Sequence, residues 1–192
     1  MTTAFLVSTL VVAIAEIGDK TQLLSLLLAT RFRKPLPIIA GILFATLANH
    51  ALAALFGEWV RAQFDPGTLR WVLGLSLLAI AAWALKPDTL DSEVKPAGRY
   101  GVFLLTLALF FVVEIGDKTQ IATSLLAARF HDIVFVTIGT TLGMMIANVP
   151  AVYMGEAITR LVPLAYVRLI AAALFALLGL WVIGTALVQD QG

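Results

Sequence analysis

Seven residues, EIGDKTQ, occur twice in this chain, at 16–22 and at 114–120, and both copies lie in strongly apolar surroundings. The similarity extends past the motif, because 12 of the 20 residues in 13–32 are identical to their counterparts in 111–130. The two copies are 98 residues apart, about half of the 192-residue chain. The sequence therefore predicts an internal duplication that covers nearly the whole chain.

The composition is typical of a membrane protein. Hydrophobic residues make up 60% of the chain and charged residues only 13%, whereas soluble domains carry about 25% charged residues. A helix needs roughly 20 apolar residues to span a bilayer. Six segments approach that length: 3–29, 36–57, 68–85, 100–128, 133–155 and 164–187. We therefore predict an all-α integral membrane protein with six transmembrane helices.

Each repeat holds three of these segments. The first repeat covers 1–86, a hydrophilic linker covers 87–98, and the second repeat covers 99–192. An odd number of spans inverts the second copy relative to the first, which predicts two inverted three-helix repeats. Many secondary transporters are built in this way, with the substrate site near the midplane where the repeats meet.

Basic residues in the connections predict the orientation, because cytoplasmic loops are enriched in Lys and Arg. One side carries eight such residues: Arg31, Arg33, Lys34, Lys86, Lys95, Arg99, Arg160 and Arg168. The other side carries three: Arg61, Arg70 and Arg129. We therefore expect the linker in the cytoplasm and both termini on the outer side.

The charged residues of the motifs lie in the middle of apolar segments. On a continuous helix, Glu16, Asp19 and Lys20 would lie close to one face, since their spacing is i, i+3 and i+4. The second copy repeats this spacing. A charge at the centre of a membrane helix costs about 2.5 to 3.5 kcal/mol. These groups are therefore expected to face one another or a wet cavity.

Inversion would bring the two motifs together as four carboxylates and two lysines, with a formal charge of −2. Oxygen ligands without thiolate suit Ca²⁺, Mn²⁺ or Mg²⁺. Carboxylates in a medium of low polarity also bind protons more readily, so the same groups could exchange a metal for protons. The predicted metal ligands are Glu16, Asp19, Glu114 and Asp117.

Other polar residues extend this predicted site: Thr21, Gln22, Thr119, Gln120, Lys20, Lys118, Asn49 and Asn148. The lysines are either tethers that leave the carboxylates when metal arrives or permanent counter-ions. The asparagines supply either an amide oxygen to the metal or a hydrogen bond between helices. Gly18 and Gly116 are expected to bend the helix or to admit a close backbone. His50 lacks a counterpart in the second repeat, which favours packing or a polar contact.

Several classes of function are excluded by the composition. The chain has no cysteine, so thiolate metal sites and thiol catalysis are absent. A net charge of +1 gives no basic field for nucleic acid. No nucleophile–base arrangement and no cofactor motif occurs, so we expect neither an enzyme nor a bound cofactor. An inert cluster, in which each lysine neutralises its own motif, stays open as an alternative.

The duplicated motif in a chain of six apolar segments resembles uncharacterised protein family 0016. This family comprises bacterial manganese exporters, chloroplast manganese transporters and Golgi cation/proton exchangers, and the resemblance spans almost the whole chain. It implies export of Mn²⁺ or Ca²⁺ in exchange for protons, with Glu16, Asp19, Glu114 and Asp117 as the acidic motif residues. The short linker fits a bacterial member, in the inner membrane with periplasmic termini.

Two rival functions remain open at this point. The layout is also similar to that of the lysine-exporter superfamily, so an exporter of a basic amino acid is an alternative. A membrane scaffold without transport activity is another. The expected partners are a divalent metal ion, protons and the lipid bilayer, and the sequence leaves open a monomer or a homo-oligomer.

Overall fold

The computed structural model describes residues 1–87, 101–154 and 164–189. The predicted linker 87–98 lies outside these residues except for its first position. The described part of the chain folds into eight α-helices joined by short connections. They are α1 (Thr2–Glu16), α2 (Lys20–Phe32), α3 (Pro35–Arg61), α4 (Pro66–Ala84), α5 (Gly101–Glu114), α6 (Lys118–Phe130), α7 (Ile133–Met154) and α8 (Leu164–Gln189).

The predicted first span, 3–29, is not one straight helix. It is divided into α1 and α2, whose axes differ by 66° across a break at residues 17–19. The predicted fourth span, 100–128, is likewise divided into α5 and α6. The expectation that Glu16, Asp19 and Lys20 share one helical face is therefore wrong, because Glu16 ends α1 and Asp19 caps α2.

Four of the described helices, α3, α4, α7 and α8, are individually long and apolar enough to cross a membrane. Counting the bent pair α1–α2 as one span gives five, while α5 is a shorter apolar helix. The all-helical membrane architecture expected from the sequence is therefore observed. Six spans arranged as two inverted repeats go beyond these four or five candidate spans and belong to the proposed function.

The closest helix–helix contacts are between the two repeats. Helix α1 packs along α7 of the other repeat, α5 packs along α3, and α4 packs along α8. Glycines permit the two equivalent contacts: a Cβ atom at Gly139 would lie 2.6 Å from the carbonyl oxygen of Phe5, and one at Gly41 would lie 2.7 Å from Cβ of Thr106. The repeats are consequently interlocked.

The distribution of polarity is that of a membrane protein. Large apolar side chains such as Phe44, Leu55 and Ile146 are exposed on the outer faces of the helices. Charged side chains, including Glu16 and Glu114, are fully buried between them. Buried ionisable groups in an apolar bundle are candidates for a functional site in membrane proteins, and here the buried glutamates of both motifs are such candidates.

Candidate cation site

Each motif lies at the break between two helices. Glu16 is the last residue of α1, and Asp19 precedes α2, where its Oδ1 accepts a hydrogen bond from the backbone N–H of Lys20 at 2.7 Å. Asp117 takes the same place before α6. The intervening Gly18 and Gly116 adopt φ angles of +81° and +74°, which suit glycine because a Cβ atom is disfavoured there.

The two aspartates are each paired with the lysine of the other motif. Nζ of Lys118 lies 2.9 Å from Oδ1 of Asp19, and Nζ of Lys20 lies 3.1 Å from Oδ1 of Asp117. The sequence alternative in which each lysine neutralises its own motif therefore differs from the observed arrangement. These crossed ion pairs join the two repeats.

Glu16 is held by neutral donors. Oγ1 of Thr21 and Nδ2 of Asn148, the latter at 2.9 Å, both donate to its Oε1. Asn148 is itself fixed, because its Oδ1 accepts from Oγ of Ser25 at 2.5 Å and its Nδ2 also donates to the carbonyl oxygen of Met144 at 3.0 Å. The glutamate is thereby positioned by α2 of its own repeat and α7 of the other.

Glu114 has a different set of partners. Oγ1 of Thr119 donates to its Oε1 at 3.1 Å, as Thr21 does in the first repeat. The place of Asn148 is taken by His50, whose Nε2 lies 3.1 Å from the same oxygen. Asn49 instead donates to the carbonyl oxygen of Phe111 at 3.0 Å.

The sequence missed the pairing of His50 with Glu114, although it favoured a polar contact or packing for this residue. A signal was present: the motif copies are 98 residues apart, whereas Asn49 and Asn148 are 99 apart. At the spacing of the motifs, the position on α3 that corresponds to Asn148 of α7 is therefore residue 50 and not residue 49. As a result, the residue after Asn49, rather than Asn49 itself, reaches the glutamate.

The glutamine side chains form hydrogen bonds with backbone groups at or near the helix breaks and not with the carboxylates. Oε1 of Gln22 accepts from the backbone N–H of Gly18 at 2.8 Å, and its Nε2 donates to the carbonyl oxygen of Ala147 at 3.0 Å. Oε1 of Gln120 accepts from Gly116 N–H at 2.7 Å. These side chains satisfy backbone groups that the interrupted helices leave unpaired.

The two halves differ in how closely they are covered. A Cβ atom at Gly18 would lie 2.9 Å from Cδ2 of Leu164 in α8, whereas no atom of the described residues lies within 4 Å of one at Gly116. The Lys118 side chain is 5% exposed and that of Lys20 is 25% exposed. The second motif is therefore more open than the first around its glycine, whereas its lysine is the more buried of the two.

The site has free carboxylate oxygens but no assembled set of metal ligands. Oε2 of Glu16 and Oε2 of Glu114 are buried and make no hydrogen bond within the described part of the chain. No three carboxylate or imidazole groups among the described residues converge closely enough to hold a metal ion. In this conformation the lysine ammonium groups are paired with the aspartate carboxylates. A cation that bound these carboxylates would have to displace the lysines.

Comparison with known proteins matches this chain to a family of cation antiporters and to relatives over most of its length. A family model described as divalent cation/proton antiporter GDT1 matches the chain twice, at residues 4–92 and 102–190. A Vibrio cholerae protein named "Putative manganese exporter" is 54% identical over 91% of this chain and 87% of its own length. A GDT1-like protein of Synechocystis is 30% identical over 92% of this chain and 95% of its own. No solved structure matches the chain.

Proposed function

We propose, from the premise that this chain belongs to the GDT1 family of divalent cation/proton antiporters, that it exports Mn²⁺ from a bacterial cytoplasm in exchange for protons. The family is one of transporters and not of enzymes, and cation transport follows from membership. The choice of Mn²⁺, with Ca²⁺ as the second candidate substrate, rests on the oxygen-rich side chains of the motifs and on the name of the Vibrio relative.

The crossed ion pairs carry this proposal. Each aspartate already binds a positive charge supplied by the opposite repeat, and two ammonium groups together carry the charge of one divalent cation. A metal ion that enters between the motifs displaces Lys20 and Lys118 and takes ligands from both repeats. The lysines return when the metal leaves, so the carboxylates are not left without a counter-charge.

The glutamates supply the proton-binding part of the exchange. Glu16 and Glu114 are fully buried, and their carboxylates each keep one oxygen without a hydrogen-bond partner in the described structure. Burial favours the neutral, protonated form of a carboxyl group over the ionised form. Metal binding favours the ionised form, so metal and protons compete for the same two side chains.

The proposed architecture is a six-span inverted repeat in the bacterial inner membrane. The α1–α2 and α5–α6 pairs act as broken spans, and units 1–86 and 99–192 rock against each other around the site. The excess of basic residues on one side supports a cytoplasmic linker and periplasmic termini. Labelling of Ser92→Cys from outside intact cells would contradict that orientation.

The test of the proposal replaces each glutamate by glutamine in a manganese-sensitive bacterial host. Glu16→Gln and Glu114→Gln keep the size of the side chain and one oxygen but remove the charge and the exchangeable proton. We expect both variants to reach the membrane at normal levels and to lose manganese tolerance. Tolerance equal to that of the native protein in either variant would remove that glutamate from the site.

A basic amino acid is a second candidate substrate, because the aspartates demonstrably accept lysine ammonium groups. Such a substrate also needs a partner for its own carboxylate. Competition separates the two: excess lysine should leave manganese transport unchanged if the site is specific for metal, and should inhibit it if the site binds amino acids.

A further inference from the structure

A basic pocket lies away from the motifs, where α3 and α6 end and α4 begins. Its volume is about 190 Å³, and its polar lining consists of Arg61, Arg70, Arg129 and His131. The three arginines are the whole basic complement of the less basic membrane side predicted above. Bringing them together costs electrostatic energy, since like charges repel.

The charges of this pocket are only partly compensated. Nε of Arg61 donates to Oε1 of Glu58 at 2.8 Å. Arg70 and Arg129 are close enough for their charges to repel, and no carboxylate of the described residues pairs with either. Arg129 is partly covered by the ring of Trp181, 4.7 Å from its guanidinium carbon.

One donor of Arg129 also has no partner. Its Nε is buried and makes no hydrogen bond within the described part of the chain. A buried donor without a partner is unfavourable for the fold. A phosphate group is the natural complement, because its oxygens accept hydrogen bonds from several guanidinium donors at once.

An apolar groove continues from the basic pocket into the bundle. It has a volume of about 200 Å³, lies between α3, α4 and α6, and shares Leu73 and Ala128 with the basic pocket. Phe56, Val60 and Val72 line it, and at its inner end it reaches Gln120 of the second motif. A charged mouth joined to an apolar groove matches the chemistry of a phospholipid rather than that of free phosphate.

We propose that this combined cavity binds an anionic phospholipid, with the phosphate between Arg70 and Arg129 and an acyl chain in the groove beside α6. Basic pockets between transmembrane helices bind anionic headgroups on the cytoplasmic or matrix side, and we infer the same chemistry for this pocket on the opposite side. The lipid then lies against α6, the helix that carries Gln120 of the second motif. This inference is independent of the metal and of the direction of transport.

The test measures lipid binding through the thermal unfolding midpoint of the purified full-length chain in a neutral detergent. The probes are dioctanoyl phosphatidylglycerol, dioctanoyl phosphatidylcholine and inorganic phosphate. We expect phosphatidylglycerol to raise the midpoint in a saturable manner and the other two to leave it unchanged. Equal shifts with phosphatidylcholine would overturn the role of the arginines, and equal shifts with inorganic phosphate would overturn the role of the lipid chain.

Variants place the effect in the cavity. Arg70→Gln and Arg129→Gln should weaken binding of phosphatidylglycerol about tenfold or more, as expected for loss of a charged hydrogen bond. Arg31→Gln is the matched control, because Arg31 is the counterpart of Arg129 in the first repeat and is exposed outside this pocket. A loss of the same size in Arg31→Gln would mean that bulk charge alone attracts the lipid, contrary to the proposal.

A further variant tests the groove without removing a charge. Val72→Phe adds bulk inside the groove and leaves every arginine in place. We expect it to weaken binding of phosphatidylglycerol, because the acyl chain loses its space. Unchanged binding in this variant would exclude the groove as the site of the chain.

Discussion

Lys20 and Lys118 pair with two of the carboxylates that we propose as cation ligands, and each lysine comes from the opposite motif. Their surroundings differ, since the Lys118 side chain is 5% exposed and the Lys20 side chain 25% exposed. A buried charge that loses its partner is far more costly than an exposed one. The two pairs are therefore chemically alike but unequal in their contribution to stability.

This difference gives a prediction for stability in metal-free buffer. Asp19→Asn removes a carboxylate that pairs with buried Lys118, and we expect a clear destabilisation, with about 3 to 5 kcal/mol as the upper bound for breaking a buried ion pair. Asp117→Asn should cost clearly less, because Lys20 can turn towards water. Thermal unfolding in detergent measures both. Equal losses would show that burial does not set the strength of these pairs, and a double Asp19→Asn/Lys118→Gln variant should recover part of the loss.

At the scale of the element, the important feature is the break in each motif-bearing span. Helix α1 ends at Glu16 and α5 at Glu114, and the next helix starts after a glycine with positive φ. The break turns what would be mid-helix residues into helix-terminal ones. Their side chains can then converge from two directions, which a straight helix would not allow.

The glycines at the breaks should resist substitution. Gly18→Ala and Gly116→Ala place a Cβ atom on a left-handed residue, which costs about 1 to 2 kcal/mol. Gly184→Ala is the matched control: it lies within α8 with no atom of the described residues within 4 Å of the added Cβ, and alanine favours a helix by up to about 1 kcal/mol. We expect the first two variants to unfold earlier than the native chain and the control to unfold no earlier. Stabilisation by Gly18→Ala would contradict a required positive φ.

The sequence predicted the elements that depend on composition and repetition, and missed those that depend on tertiary packing. Apolar length predicted the spans α3, α4, α7 and α8 to within a few residues. Apolar length alone did not reveal the breaks, although the two glycines that the sequence offered as bend positions, Gly18 and Gly116, lie at them. The exchange of lysines between repeats and the contact of His50 with Glu114 arise from the crossed packing, which residue spacing within one helix does not encode.

At the scale of the whole molecule, the two repeats are equivalent in sequence but not in conformation. Leu164 of α8 covers Gly18, whereas Gly116 is exposed. Ile115 beside it is 58% exposed, and its counterpart Ile17 is partly buried. In the proposed rocking of one repeat against the other, one half would be open while the other is closed, and we propose that this inequality reflects such a state.

Cysteine labelling tests the difference in exposure between the two motifs, because the chain has no cysteine of its own. Ile115→Cys and Ile17→Cys are matched, since they occupy the same place in the two motifs. We expect a water-soluble thiol reagent to label Ile115→Cys faster in purified protein without metal. The opposite order would indicate the reverse conformation. Labelling of Ile115→Cys only by a lipid-soluble reagent would mean that this face meets lipid instead of an access path.

The central claim is that the two motifs form one site at which a divalent cation exchanges for protons. The most direct measurement is manganese movement in sealed proteoliposomes that contain the purified chain and start with equal Mn²⁺ on both sides. An imposed pH gradient should drive Mn²⁺ towards the acidic compartment, a protonophore should abolish that movement, and Glu16→Gln and Glu114→Gln should each lack it. Movement of Mn²⁺ only down its own gradient, whatever the pH gradient, would contradict exchange and indicate a channel.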